Sequence, residues 1–180
     1  ELGGKHSMVV APDAPLGRAA KAAAWGRFAN SGQICVGVER CLVHEDVYPA
    51  FCAKLEAEVK ALRPGPAGSY EQDLGRLIFH GQGAVVERHL ADARAKGARV
   101  VGGEPDAARG TFSPALVFDA TPDMLVMQEE TFGPVLAVMP GRRVEEALVI
   151  STAGRHGLAA SVWTRDLEKG AEWASLIEAG

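Results

Sequence analysis

Short apolar runs alternate along the chain with longer segments in which apolar residues recur every three or four positions. The short runs predict strands at 7–11, 41–44, 98–103, 112–119, 135–139 and 158–164. The longer segments predict helices at 15–29, 51–62, 79–96, 144–151 and from about 166 onward. Repeated strand–helix units of this kind favour a mostly parallel sheet with helices on both faces, so the predicted fold class is α/β.

The length and composition of the chain fit one globular domain. No repeat, low-complexity segment or linker divides its 180 residues, so we expect a single domain over 1–180. Apolar residues make up 47% and charged residues 23%, which argues against disorder. The net charge is −4 with no cluster of Lys and Arg, and no apolar run approaches the roughly eighteen residues of a membrane span. We therefore expect neither a nucleic-acid nor a membrane partner.

The cysteine pattern points to a reducing compartment. Cys35, Cys41 and Cys52 match no zinc or disulfide spacing, so we expect no metal site and a cytoplasmic location. Cys41 falls on a predicted strand and Cys52 on a predicted helix, where a free cysteine is usually a small core residue. Cys35 differs because it follows FANSGQI, in which Gly32 allows backbone conformations closed to other residues.

The loop that carries Cys35 suits nucleophilic chemistry. A thiolate is a strong nucleophile toward a carbonyl carbon, and loop N–H groups can stabilise the resulting oxyanion. The alternative is that Cys35 is a buried small hydrophobe. The general base is expected to be Glu1 of ELGGK, because the five histidines lie outside any site-like sequence context. Burial could raise the pKa of such a carboxylate, although a Glu in this position is commonly solvated.

The segment MQEETFGPV at 127–135 is a third candidate. Its adjacent carboxylates precede a predicted strand, and a carboxylate there could bind a ribose diol. A solvated turn with Phe132 in the core explains the segment equally well when it is taken alone.

The three segments together resemble a known family. ELGGK, then FANSGQIC with its Cys 34 residues after the Glu, then EETFGP match in order and spacing the signature of the NAD(P)-dependent aldehyde dehydrogenase superfamily. The resemblance extends to ERCLVH, to DLG at 73–75, to GARVVGG at 97–103 and to GLAASVWTRD at 157–166. It covers essentially the whole chain and implies the catalytic domain of the aldehyde dehydrogenase fold.

The resemblance also implies residue roles. Cys35 would attack an aldehyde to give a thiohemiacetal and then a thioester, and Glu1 would activate the water that hydrolyses this acyl-enzyme. The cofactor would be NAD or NADP. Its contacts would be Glu130 at the nicotinamide ribose, Phe132 beside it, Leu2 and Gly3 at the nicotinamide, and Gln82 at the adenosine-side ribose. The family's second oxyanion donor, an upstream Asn, has no counterpart here, since Asn30 belongs to the cysteine motif.

The departures from the family pattern shape the remaining expectations. The dinucleotide-binding part of the family precedes ELGGK and its subunit-pairing strand follows this region, so we expect the chain alone to have little dehydrogenase activity. HGQGAVV at 80–86 lies within a predicted helix and does not replace the nucleotide-binding turn. The resemblance implies a homodimeric or homotetrameric parent acting on a small aldehyde, which the sequence does not identify. The alternatives are a non-catalytic relative, an inactive structural fragment and a coenzyme A-acylating enzyme.

Overall fold

A computed structural model describes residues 3–65 and 71–180. Its strands are β1 (His6–Val10), β2 (Val38–His44), β3 (Arg99–Val101), β4 (Pro105–Asp106), β5 (Thr111–Phe112), β6 (Ala115–Phe118), β7 (Val135–Gly141) and β8 (Ala160–Trp163). Its helices are α1 (Leu16–Phe28), α2 (Tyr48–Lys60), α3 (Gln82–Ala95), α4 (Leu125–Gln128), α5 (Val144–Thr152) and α6 (Leu167–Ser175). Short 3-10 helices occur at Ala29–Gly32 and Glu45–Val47.

The main sheet has the strand order β3-β6-β7-β2-β1-β8. Strands β6, β7, β2, β1 and β8 run parallel, and only β3 at one edge pairs antiparallel, with β6. Strands β4 and β5 form a separate hairpin. The predicted fold class, a mostly parallel sheet with helices on both faces, is confirmed.

Successive strand residues contribute their side chains alternately to two hydrophobic cores, one on each face of the sheet. In β1, Met8 joins the core that contains buried residues of α1 and α2, whereas Val9 joins the core built on α3, α4 and α5. This alternation is the expected result of successive strand side chains pointing to opposite faces. The predicted core positions Cys41 and Cys52 both lie in the first core.

The helices begin and end where the local sequence requires. Helix α1 is alanine-rich, and its buried alanines allow it to pack closely against α2. Helix α3 begins at Gln82 rather than at the predicted residue 79, with Gly81 as the residue before its first turn. The predicted strand 98–103 ends at Val101 because Gly102 and Gly103 adopt φ values of +78° and +87°.

The predicted loop at 63–69 is described in part. Pro64 forms an isolated parallel bridge with Leu74, while residues 66–70 lie outside the described part of the chain. Across residues 3–65 and 71–180, no helix combines the length and apolar character needed to cross a bilayer. The same described ranges hold no cluster of three or more metal-ligating His, Cys, Asp or Glu side chains.

Candidate active site

The three candidate motifs precede three neighbouring parallel strands. Gly3 and Gly4 lead into β1, Cys35 leads into β2, and Glu130 leads into β7. Because β7, β2 and β1 are adjacent and parallel, their amino ends lie along one edge of the sheet. The topology therefore brings together segments that are more than a hundred residues apart, as the 126-residue separation of Gly4 and Glu130 shows.

Cys35 lies in a tight turn. The N–H of Gly37 donates to the carbonyl of Ile34 over 3.0 Å, which places Cys35 and Val36 at the two central positions of the turn. Cys35 is partly exposed, whereas Cys41 and Cys52 are buried. Burial raises the pKa of the Cys52 thiol to about 11 and raises the pKa of Cys41 further. Of the three cysteines, Cys35 is thus the one that is partly exposed to solvent.

The chain reaches this turn through a left-handed segment. Asn30, Ser31 and Gly32 have φ values of 50°, 57° and 75°. Such values are uncommon in residues other than glycine, and they concentrate at functional sites. A Cβ at Gly32 would overlap the carbonyl oxygen of Gly133, so glycine permits the cysteine loop to contact the EETFGP segment.

Gly3 and Gly4 contact both other motifs. A Cβ at Gly4 would overlap the carbonyl oxygen of Cys35, and the N–H of Gly4 donates to Oε1 of Glu130 over 2.8 Å. A Cβ at Gly3 would lie 3.0 Å from Oε2 of Glu130 and 3.1 Å from Cε1 of His156. Two residues without side chains therefore let the backbone pass directly between Cys35 and Glu130. Glu1 and Leu2 lie outside the described residues.

A buried charge network fixes the three motifs relative to one another. Glu39 accepts from Lys5 Nζ at 2.7 Å and from Arg27 at 2.5 Å, and all three side chains are at most 2% exposed. The carboxylate also accepts from the N–H groups of Thr131 and Phe132 at 3.1 and 3.3 Å. Burial by itself would raise the pKa of Glu39, but the two cations hold it at about 2. The site is thus assembled around an ionised carboxylate.

Both cations of this network also bind the backbone of the EETFGP segment. Lys5 donates to the carbonyl of Glu129 at 2.6 Å, and Arg27 donates to the carbonyl of Gly133. The pairing of β1 with β2 passes from His6 opposite Val38 to Ser7 opposite Arg40, so Glu39 is the extra residue of a β-bulge. A bulge redirects the side chain of its extra residue, which explains how Glu39 enters the network from a strand.

The remaining predicted cofactor residues lie around the EETFGP turn. Phe132 is half-buried and has a φ of 47°, a rare conformation for an aromatic residue. Gln82, the first residue of α3, donates from Nε2 to the carbonyl of Thr131 at 2.5 Å. Gln82 therefore contacts the same turn as Glu130 and Phe132.

The DLG segment supports the cysteine loop from another side. Ser31 Oγ and the backbone of Gly75 exchange hydrogen bonds of 2.9 Å. Gln33 accepts from the N–H of Ile78 at 2.8 Å and donates to the carbonyl of Arg76 at 3.1 Å. Arg76, which follows DLG, takes part in this contact through its carbonyl alone.

An apolar groove of about 300 Å³ borders the cysteine turn. Ile34 and Val36 line it on the cysteine side, and the other lining residues include Met8, Trp25, Trp163, His6 and Ser161. Trp25 is 78% exposed and Val36 is 49% exposed, so the groove is open to solvent. The two neighbours of Cys35 thus present an apolar surface beside the thiol.

Sequence reasoning missed several residues of this site. Lys5, Arg27 and Glu39 carry charges that a sequence alone suggests are solvated, and only their burial reveals the network. Two histidines were also missed. Cε1 of His156 lies 3.1 Å from the position that a Cβ of Gly3 would occupy, and His6 binds the backbone of the cysteine turn. The position of His6 directly after ELGGK was the one available signal.

The fold and site together define an α/β protein with a partly exposed cysteine, a neighbouring carboxylate and a glycine backbone between them, at the amino ends of parallel strands. A comparison with family models matches residues 1–180 to the aldehyde dehydrogenase family. The chain therefore belongs to the aldehyde dehydrogenase family.

Individual relatives agree with this assignment. Vanillin dehydrogenase of Pseudomonas fluorescens is 38% identical over 181 residues, which are 100% of this chain and 37% of that protein. The crystal structure of succinate-semialdehyde dehydrogenase from Burkholderia pseudomallei superposes with a TM-score of 0.96 at 38% identity, over 100% of this chain and 38% of the other. NADP-dependent glyceraldehyde-3-phosphate dehydrogenase from Bacillus halodurans C-125, complexed with NADP, gives 0.95 at 31% identity, over 100% and 37%. The chain spans a little over a third of the length of these relatives.

Proposed function

We propose that residues 1–180 form a catalytic domain of an NAD- or NADP-dependent aldehyde dehydrogenase that oxidises an aldehyde to a carboxylic acid, with Cys35 as the nucleophile. One observation carries the proposal: Gly4 packs against the carbonyl of Cys35, and its N–H donates to Glu130. The three motifs therefore meet at Cys35, which is partly exposed while Cys41 and Cys52 are buried. Family membership supports the reaction class.

The first step is assigned to Cys35. Its thiolate forms a carbon–sulfur bond with the carbonyl carbon of the aldehyde, and the π electrons of the carbonyl move to oxygen, giving the oxyanion of a thiohemiacetal. The N–H of Cys35 is the proposed donor to the developing oxyanion. The turn supports this role because it holds the Cys35 backbone between Ile34 and Gly37.

The residues around Gly3 fit a nicotinamide cofactor. Gly3 and Gly4 keep the space beside Glu130 clear of side chains, and a Cβ at Gly3 would come within 3.0 Å of the Glu130 carboxylate. The Glu130 carboxylate would bind the ribose diol of the cofactor, and Phe132 would lie beside this ribose. Leu2 would contact the nicotinamide, and Gln82 would contact the ribose on the adenosine side. NAD or NADP, when bound, would supply the hydride acceptor needed to oxidise the thiohemiacetal on Cys35 to a thioester.

Glu1 is the proposed general base for deacylation. Its carboxylate takes a proton from a water molecule, whose oxygen attacks the thioester carbon, and the Cys35 thiolate leaves as the carboxylic acid forms. Support comes from sequence position, since Glu1 stands two residues before Gly3, which lies beside Glu130. A coenzyme A-acylating enzyme has no need of a water-activating base, so ELGGK favours hydrolysis.

The setting of the whole protein is also a proposal. We infer a small aldehyde whose apolar part contacts Ile34 and Val36 in the groove beside the thiol. The names of the relatives, which include vanillin and succinate-semialdehyde dehydrogenases, are consistent with an aldehyde substrate. We further propose a cytoplasmic, homodimeric or homotetrameric parent protein.

Thiol labelling tests the central assignment. The chain is treated with iodoacetamide at neutral pH, and alkylation is followed by mass spectrometry of peptides. Cys35 is expected to react fastest, because burial protects Cys41 and Cys52 and raises the pKa of both thiols. A Cys35 that reacts no faster than Cys52 would contradict the proposal and favour a non-catalytic relative or an inactive fragment.

A further inference from the structure

His6 links the cysteine turn to the edge of the sheet. It is the first residue of β1 and follows directly after GGK of the first motif. Its Nδ1 lies 2.8 Å from the carbonyl oxygen of Val36, and its Nε2 lies 3.1 Å from Oγ of Ser161 in β8. Both ring nitrogens of His6 therefore have a partner.

The partners determine the protonation of the ring. A carbonyl oxygen can only accept, so Nδ1 must carry the hydrogen that it donates to Val36. Burial lowers the pKa of His6, while the bond to Val36 raises it, and the net direction is downward. The neutral ring then accepts at Nε2 from the Ser161 hydroxyl. With both nitrogens engaged, His6 is suited to orient its partners rather than to exchange protons with a substrate.

The bond from His6 acts on the turn that presents the thiol. Val36 is the second of the two central residues of the turn, directly after Cys35. The carbonyl of Val36 and the N–H of Gly37 belong to the same peptide group, and this N–H donates to the Ile34 carbonyl that closes the turn. Gly4 contacts the carbonyl of Cys35 itself. Gly4 thus packs against the Cys35 carbonyl, and His6 is hydrogen-bonded to the next carbonyl of the turn, that of Val36.

We propose that His6 is a positioning residue for Cys35: its Nδ1–H fixes the Val36 carbonyl and thereby the direction of the Cys35 side chain. The inference rests on the proposed function, because it assigns His6 a role toward the same nucleophile. The role is specific to the donor at Nδ1, since the contact with Ser161 only orients the ring.

Three substitutions separate the two hydrogen bonds. His6→Asn places an amide donor near the position of Nδ1, and Ser161→Ala removes only the partner of Nε2, so both variants keep the bond to Val36. His6→Leu removes the donor. The second-order rate of Cys35 alkylation by iodoacetamide is measured on each folded chain at neutral pH, together with the urea midpoint.

We expect His6→Leu to slow Cys35 alkylation by about two- to tenfold, the range that one neutral hydrogen bond spans. His6→Asn and Ser161→Ala are expected to stay within about twofold of the parent chain. If His6→Leu does not fold, as judged by circular dichroism, His6→Gln replaces it. The glutamine amide reaches the position of Nε2 rather than that of Nδ1, so the Val36 carbonyl again loses its donor. This rescue pattern would not arise from a general loss of stability.

The effect of the His6 substitutions on the Cys35 rate tests this inference, and the ratio of the Cys35 rate to the Cys52 rate tests the proposed function. Equal Cys35 rates in the parent and in His6→Leu, or a loss in His6→Asn as large as in His6→Leu, would overturn the positioning role. The rate of Cys35 relative to Cys52 in the parent chain tests the proposed function and does not depend on His6.

Discussion

Replacing Glu39 with Gln is the sharpest test of how the site is held together. The substitution keeps the size of the side chain and removes its charge. Lys5 and Arg27 then remain buried, at 2% and 0% side-chain exposure, without the carboxylate that both of them contact. The N–H groups of Thr131 and Phe132 lose the same anionic acceptor.

The expected loss in the free energy of unfolding follows from the burial of the three charged side chains. Removing one partner of a buried ion pair costs about 3–5 kcal/mol, because an uncompensated charge is left in a medium of low polarity. A domain of this size has a free energy of unfolding of about 5–15 kcal/mol, so Glu39→Gln should remove a large share of it. The exposed pair of Arg143 and Glu146, at 3.0 Å, is the matched control, and Glu146→Gln should cost at most about 1 kcal/mol.

Urea unfolding followed by far-UV circular dichroism measures both changes at pH 7. Glu39→Gln should lower the midpoint far more than Glu146→Gln, and the double variant with Lys5→Met should recover part of the loss because one unpaired cation is gone. Equal midpoints for Glu39→Gln and Glu146→Gln would refute the view that the three motifs are assembled on an ionised Glu39.

Two further predictions concern acid stability and Gly4, the glycine beside the Cys35 carbonyl. The folded pKa of Glu39, about 2, lies below its ordinary value of 4.5, so the unfolded chain binds more protons as the pH falls through this window. About 3 kcal/mol of stability should therefore be lost between pH 4.5 and pH 2, and urea midpoints at pH 6, 4 and 3 should show a steeper fall for the parent chain than for Glu39→Gln. Gly4→Ala should slow Cys35 alkylation and cost about 1–3 kcal/mol, because its Cβ would overlap the Cys35 carbonyl. Gly17→Ala in α1, where a Cβ meets nothing within 4 Å, should raise stability by up to about 1 kcal/mol and leave Cys35 unaffected, and a similar effect of both substitutions would contradict the contact.

The sequence predicted the elements better than the site. Apolar runs and hydrophobic periodicity are local properties, so the strand at Val135 could be identified from its run of apolar residues and the helix that buries Phe51 and Leu55 from the spacing of those residues. The hairpin of β4 and β5 was missed because strands of 2 residues carry no periodic signal. The buried network of Lys5, Arg27 and Glu39 was missed because nothing in the sequence around Lys5 or Glu39 indicates that these charged side chains are buried.

The order and spacing of the three motifs were enough to indicate the aldehyde dehydrogenase family by resemblance, and the match of residues 1–180 to that family confirms it. Their convergence depends on the tertiary structure, which places β7 beside β2 and β2 beside β1 and so unites Gly4, Cys35 and Glu130 at one edge. The contact of His6 with Val36 depends equally on strand register and on the bulge at Glu39. Strand order and register arise from pairing between distant segments, and no local pattern in the chain encodes them.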